Sequence, residues 1–424
     1  MRARYDSNVA VDTVAGWRRL AGRMALGLLL GLSVIASSTW AQYPGITDKT
    51  IRIGANMPLE GDRRTNALAF KRGIEAALAG QTVQGRRFEF IAINDFYNPA
   101  KAIEATNQLI NQGIFLMLGG YGTPTAKAIL PVLAENKVPA VGFYTGAAFT
   151  GPGDVLNFRA SYSGEVESVV NAALAAGVKP TEVCMYAQND ALGVSGIKGL
   201  RAALAKQPNT ASIVAKLDQI LDMPGDNPER NGVGPVGVYQ RDTVSAREGY
   251  QSLKKWEETS DTRCRLVTMM AVYDAAATFV AYARYKNEPW MFSTTSNAAG
   301  NTMQSLLKEQ GITDRVVATQ IVPALDSTLP VVGEARKALG QELDQLSLEG
   351  YLVGRMFLAI MQAIEGSLSR ENFLKAAHRQ PYDLGGIKID FTTDNQGSDF
   401  VLAFVLRDGR FIAITPQELV GLFN

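Results

Sequence analysis

The 424-residue sequence holds one histidine and two cysteines. That scarcity narrows the chemistry at once. Zinc sites draw on clustered Cys and His, and Cys184 and Cys264 stand outside any ligand spacing. His378 falls near the end of a predicted helix over 370–379, where a solvated histidine beside a helix C-terminus is the ordinary reading. Neither a nucleophile elbow nor a Ser/His/Asp arrangement is found. The run Asp226, Asn227, Pro228, Glu229 lacks the alternating acidic ligands of a calcium loop and reads as a polar turn. An excess of either charge is also missing: 42 Lys and Arg stand against 41 Asp and Glu. Such a balance points to neither nucleic acid nor an anionic membrane as partner, and the aromatic–basic interleaving of nucleic-acid binders is absent. The chain is therefore not read as an enzyme, and neither a cofactor nor a metal is expected.

Long apolar runs are missing too, apart from residues 24–35. Arg18, Arg19 and Arg23 precede that run, and Ala36, Ser37, Ser38, Thr39, Trp40 and Ala41 follow it. Positive, apolar and small-residue segments in that order predict a secretory signal peptide over 1–41, cleaved after Ala41. The run is short for a membrane span, and no cysteine at the cleavage point offers a lipid attachment. The expected location is periplasmic. In that oxidising compartment Cys184 and Cys264 either form a disulfide or remain as two buried thiols.

What is present is organised around residues 114–125. The apolar run Ile114, Phe115, Leu116, Met117, Leu118 breaks into Gly119, Gly120, Tyr121, Gly122, and then meets Thr123, Pro124, Thr125. This reads as a buried parallel strand, a tight turn and a helix start. Pro124 suits the first helical turn, and Thr123 is placed to cap it. Backbone N–H groups and two hydroxyls then converge at the positive end of a helix dipole, a corner that favours a carboxylate as well as a phosphate. No Lys-Ser/Thr pair follows the glycines, which excludes a P-loop, and Thr125 stands where a dinucleotide motif needs its last glycine.

Elsewhere, strands and helices alternate. Strands are expected over 50–55, 88–93, 114–118 and 138–143, with helices over 64–78, from Pro99, and to about Asn136. A second unit begins near Gly164, with strands over 182–187, 265–271, 289–296 and 315–323 and helices over 193–204 and 273–285. A long helix over 346–364 and a β-rich tail at 387–391, 400–406 and 411–414 close the chain. Residues 222–243, rich in Gly, Pro and Asn, read as a long ordered loop or hairpin. The pattern predicts an α/β fold of two Rossmann-like lobes, each a mostly parallel sheet flanked by helices. Ligands bind such sheets outside the carboxyl ends of the strands, here the loops 56–62, 119–125 and 143–149.

Several short motifs then carry a family resemblance. They are Ile51, Arg52, Ile53, Gly54 through Pro58, Leu59, Glu60, Gly61; residues 119–125; Val138, Pro139, Ala140; Asn157, Phe158, Arg159; and Asn189, Asp190, Ala191, Leu192, Gly193. Glu349, Gly350, Tyr351 and Gly385, Gly386, Ile387 continue the series. In order and spacing the chain resembles a type I periplasmic solute-binding protein of ABC importers, of the branched-chain (Leu/Ile/Val) amino-acid group. The resemblance implies two lobes, 46–162 plus 319–385 and 163–318 plus 386–424, joined by a three-crossover hinge with breaks near Ser161, Pro323 and Tyr382. It also implies capture of a small carboxylate-bearing solute, an inner-membrane ABC permease as partner, no nucleic acid, and a monomer. By resemblance the carboxylate lies at Thr123 or Thr125, with Tyr121 in the same turn, and at Tyr144, Thr145 and Gly146. An aromatic closing over the ligand in relatives corresponds to Leu192, the acidic partner of an amino group to Ser296, and the second-lobe aromatic to Val272 or Tyr273. Glu60, Asp190 or Asp274 could compensate for the lost acid. A periplasmic sensory accessory protein, or a hydrolase on the same fold, are the alternatives.

Overall fold

The computed structural model describes residues 43–424; the expected signal segment lies outside them. The first sheet is built from β1 (Thr50–Met57), β2 (Thr82–Val83), β3 (Arg86–Asn94), β4 (Met117–Leu118), β5 (Ala140–Val141) and β6 (Val155–Leu156), in the order β2-β3-β1-β4-β5-β6. All its pairings are parallel except the short β2–β3 hairpin. Ile51, Ile53, Ala55 and Met57 are fully buried on one face of β1. On the other face Gly54 lies against Leu109 and Ile114. Burial on both faces fits a central parallel strand, although Thr50, Arg52 and Asn56 alternate with the apolar residues of β1.

Three helices follow these strands as crossovers: α1 (Arg64–Leu78), α2 (Pro99–Asn111) and α3 (Thr123–Glu135). Asn98 caps α2 through the Ala100 and Lys101 N–H groups, with Pro99 at the first position, as the sequence predicts. At α3 the cap differs from expectation. Gly122 occupies the cap with φ 98°, and Thr123 is already the first helical residue. A left-handed turn admits glycine where a threonine would be strained, so the Thr123 hydroxyl is free for another role.

The chain then passes to a second sheet through residues 157–161 and α4 (Tyr162–Ala175). That sheet contains β7 (Val183–Gln188), β8 (Val236–Tyr239), β9 (Leu266–Met270), β10 (Met291–Thr294) and β11 (Val316–Gln320), all parallel. Between them run α5 (Ala191–Ala205), α6 (Ala211–Asp222), α7 (Arg247–Thr259), α8 (Tyr273–Tyr285) and α9 (Asn301–Glu309). The stretch expected as a long loop contains β8, whose Val236 to Tyr239 pair with Met185 to Gln188 at the sheet edge. Its four residues, including a glycine, are too few to show a period. Cys184 in β7 and Cys264, just before β9, are joined in a disulfide, Cα–Cα 5.8 Å.

After β11 the chain returns to the first core with α10 (Pro330–Leu339), α11 (Gln345–Gln362), α12 (Arg370–Arg379), β12 (Tyr382–Asp383) and β13 (Lys388–Ile389). Ile389 and Phe391 pack in that core, so the third passage falls after Phe391, later than the break expected near Tyr382. β14 (Leu402–Arg407) then pairs antiparallel with β11 and β15 (Arg410–Ile414) antiparallel with β14, and α13 (Pro416–Gly421) follows. The second sheet runs β15-β14-β11-β10-β9-β7-β8. Helices α1 and α11 cross closely: a Cβ on Gly350 would stand 2.0 Å from the Phe70 carbonyl oxygen, and one on Gly73 2.0 Å from that of Ser347. The fold is α/β, two mostly parallel sheets flanked by helices.

Candidate functional site

The carboxyl ends of the strands of both sheets face one small cavity of about 20 Å³. From the first sheet come Arg63 after β1, Tyr97 after β3, Tyr121 and Thr123 after β4, and Tyr144 after β5. From the second come Leu192 after β7, Val272 and Tyr273 after β9, and Asn297 after β10; Tyr162, at the start of α4, completes the wall. All five tyrosines are buried. Such convergence is what parallel sheets dictate, since their crossovers leave the carboxyl edge open.

Each first-sheet residue is held by local chemistry. The Asn94 Oδ1 accepts from the Leu59 N–H at 2.9 Å and the Phe96 N–H at 3.1 Å, and the Asp95 Oδ1 accepts from the Tyr97 N–H at 2.8 Å. These bonds hold Phe96 and Tyr97 in left-handed backbone, φ 53° and 58°, which for non-glycine residues costs about 1–3 kcal/mol each. Asp95 is fully buried and its Oδ2 has no partner among the described residues; burial pushes its carboxyl up to about 7, against the pull of the Tyr97 N–H. Tyr121 and Tyr144 form a parallel bridge and their rings stack at 4.6 Å and 13°, with Tyr97 edge-on to Tyr121 at 6.3 Å. Thr123 Oγ1 lies 2.8 Å from Thr145 Oγ1, and Thr145 also accepts from the Ala147 N–H at 3.2 Å.

Contacts across the cavity tie the two sheets. Arg63 Nη2 meets Asp274 at 3.0 Å, and its guanidinium lies over the Tyr273 ring at 4.9 Å. Burial pulls Arg63 down, yet Asp274 outweighs it and holds the guanidinium above its ordinary value. Its Nη1 is buried without a partner among the described residues. The Tyr273 hydroxyl donates to the Asp62 carbonyl, and the Tyr144 hydroxyl to the Asn297 carbonyl at 3.4 Å.

Arg159 lies over the rings of Tyr144 and Tyr162, at 4.9 and 5.2 Å. It is 1 % exposed. Its charge faces Glu349 at 3.5 Å and Glu165 at 3.9 Å, and it donates to Ser296 Oγ. Ser296 in turn donates through its N–H at 2.8 Å and its hydroxyl at 2.7 Å to Glu165, which also accepts from Thr319 at 2.5 Å. Burial pushes Glu349 up to about 7 against the attraction of Arg159, with Glu165 adding to the rise. One guanidinium and two carboxyls thus bind the first passage, α4, α11 and the end of β10 into one buried network.

Of the residues named from sequence, Tyr121, Thr123, Tyr144, Leu192, Val272 and Tyr273 line the cavity. Thr145 stands behind Thr123. Thr125 spends its hydroxyl on the Tyr121 and Gly122 carbonyls, at 2.5 and 3.0 Å. Gly146 and Asp190 line a separate groove of about 580 Å³, with Lys127, Lys198 and Arg230. Asp190 caps α5 by accepting from the Leu192 N–H at 2.8 Å and also accepts from the Gln188 amide at 2.7 Å; burial holds its carboxyl above the ordinary range. Glu60 is exposed, and Asp274 is taken by Arg63. Ser296 belongs to the Arg159 network, which explains a hydroxyl there: a third carboxylate beside Glu165 and Glu349 would be repelled. Sequence reasoning missed Arg63, Tyr97, Tyr162 and Asn297. The loop carrying Tyr97 follows a recognised strand and precedes a recognised cap, and that position alone was signal enough. Among the described residues no group of three or more His, Cys, Asp or Glu could hold a metal ion, and no helix is long and apolar enough to cross a membrane.

Residues 50–217 match the family model described as periplasmic binding protein. Among solved structures, a possible leucine/isoleucine/valine-binding protein from Rhodopirellula baltica is 26 % identical, with a TM-score of 0.74 over 88 % of this chain and 98 % of that one. A fatty acid ABC transporter substrate-binding protein from Thermomonospora curvata is 16 % identical, TM-score 0.68, over 90 % and 96 %. A branched-chain amino acid ABC transporter protein from Thermus thermophilus, solved with bound valine, is 14 % identical, TM-score 0.67, over 88 % and 96 %. Among curated proteins none matches. The fold is that of the type I periplasmic binding proteins.

Proposed function

We propose that this chain is an exported, non-catalytic solute-binding protein. It captures a small carboxylate-bearing solute between two lobes, one around each sheet, and delivers it as a monomer to an inner-membrane ABC permease. The three passages, near 157–161, 321–329 and 392–401, serve as the hinge. The observation that carries this reading is the cavity walled from both sheets and bridged by Arg63–Asp274 and Tyr144–Asn297. A site that both halves complete couples occupancy to closure, because the solute binds the closed form better than the open one. The Thermus and Thermomonospora neighbours, both ABC transporter proteins, support the transport role.

The carboxylate is assigned to the start of α3, where the first N–H groups have no intrahelical partner and Thr123 lines the cavity. Calorimetry on the exported protein, stripped by unfolding and refolding, tests this with a panel of small carboxylates. Thr123→Ala or Thr145→Ala is expected to cost about 1–3 kcal/mol of affinity, as for a hydrogen bond to a charged group. Unchanged affinity in both variants would place the solute elsewhere.

A further inference from the structure

We infer that the solute is a planar aromatic carboxylate without an ammonium group, held with its ring among the tyrosines and its charge toward Arg63; the inference rests on the cavity being the solute site. The cavity wall carries five tyrosines against two aliphatic side chains, Leu192 and Val272, and no acidic residue. An α-amino acid would bury its ammonium with no carboxylate to receive it, which is costly. Asp274, the nearest acid in the chemistry described, is committed to Arg63 at 3.0 Å.

A tyrosine cage also suits a quaternary ammonium, which needs no hydrogen-bond acceptor. Here several π faces are already used. Arg159 lies over Tyr144 and Tyr162, and Arg63 over Tyr273. Tyr121 stacks on Tyr144. Arg159 is offset by Glu165 and Glu349, but Arg63 lines the cavity with one nitrogen unpartnered among the described residues, and that end repels a cation and attracts an anion. The ring edges carry the positive end of the aromatic quadrupole. The electron-rich face of a flat ring complements such edges, and a saturated ring has no such face.

The charged end has its own partner. Arg63 Nη2 is bound to Asp274 while Nη1, equally buried, has none among the described residues. A guanidinium offering one free fork beside the start of α3 is suited to a carboxylate. Tyr97 fits the same reading, since two consecutive left-handed residues place its ring in the wall, and strain of that kind concentrates at ligand clamps.

The test is calorimetry on the exported, refolded protein with benzoate, trans-cinnamate, cyclohexanecarboxylate, L-leucine, L-phenylalanine and glycine betaine. At least one of the two aromatic acids is expected to bind tenfold or more tighter than cyclohexanecarboxylate and than either amino acid. Tyr121→Leu is expected to erase that ring preference, and Arg63→Gln to lower affinity for the aromatic acid by tenfold or more. Equal or tighter binding of cyclohexanecarboxylate, or tight binding of an amino acid or betaine with neither aromatic acid bound, would overturn the solute class. If such a ligand also responds to Thr123→Ala, the cavity remains the solute site with another occupant. Aromatic acids that bind while ignoring Tyr121→Leu, Arg63→Gln and Thr123→Ala together would overturn both.

Discussion

At the scale of single residues, the site is built by side chains that spend their polar atoms on backbone. Asp95 shows the cost. Its Oδ1 fixes Tyr97 in left-handed backbone, and its buried Oδ2 has no partner among the described residues. Burial raises its carboxyl to about 7 from an ordinary value near 3.8. Because the folded form holds its proton more tightly than the unfolded chain does, the contribution to stability is full below pH ~4 and is lost as pH rises through about 7. Asp95→Asn keeps the acceptor for the Tyr97 N–H and removes the titration. Relative to wild type, the variant is expected to gain about 1–3 kcal/mol between pH 5 and pH 8.5, within the 1.36 kcal/mol per unit that such a shift allows. Urea denaturation at both pH values measures it. An identical difference at the two pH values would show that Asp95 does not titrate in this range.

At the scale of elements, the second sheet depends on a covalent tie that its sequence left open. Cys184 in β7 and Cys264, just before β9, are 80 residues apart and bonded. The enclosed stretch contains α5, α6, β8 and α7, so the bond restricts a large part of the unfolded chain. Replacing both cysteines by alanine is expected to cost about 2–4 kcal/mol. The urea midpoint of the double variant against that of oxidised wild type is the measurement. Coincident midpoints would mean that the tie limits nothing in the unfolded state. β8 itself, at the sheet edge, was hidden in a stretch rich in turn-forming residues. Its pairing partner β7, 51 positions earlier by the register Met185 to Val236, is what makes those residues a strand.

For the whole molecule, the question is what holds the two sheets around the cavity. Arg63 and Asp274 form an ion pair across it with side chains 12 % and 27 % exposed, and the Tyr273 hydroxyl reaches back to the Asp62 carbonyl. A pair so shielded from water is worth about 1–3 kcal/mol when charged groups hydrogen-bond. Asp274→Asn is therefore expected to populate a wider separation of the sheets in the absence of solute. Small-angle scattering should then give a larger radius of gyration for the variant, returning toward the wild-type value on saturation. A radius unchanged from wild type in both conditions would remove this pair from the closing machinery. Beneath it, the Arg159, Glu165 and Glu349 network joins the first passage to helices of both cores. Its rings and charges share Tyr144 and Tyr162 with the cavity, which links the wall to the passages that must bend.

The alternation of apolar strands and amphipathic helices was legible in the sequence because local period and caps decide it: α1 and α8 match their predicted spans residue for residue, and Asn98 caps α2 as its type requires. The glycine turn before α3 and the carboxyl-edge placement of Tyr121, Thr123 and Tyr144 followed from the same local chemistry. Tertiary structure alone decided which polar residues are spent. Ser296 and Asp274 differ little in sequence context from ligand-facing residues, yet Arg159 claims one and Arg63 the other. It also decided that five tyrosines from separate loops form one wall, that Gly122 rather than Thr123 caps α3, and that the two cysteines meet. Each of these depends on residues brought together from distant positions. A propensity reads neighbours along the chain, whereas charge pairing and ring packing read neighbours in space.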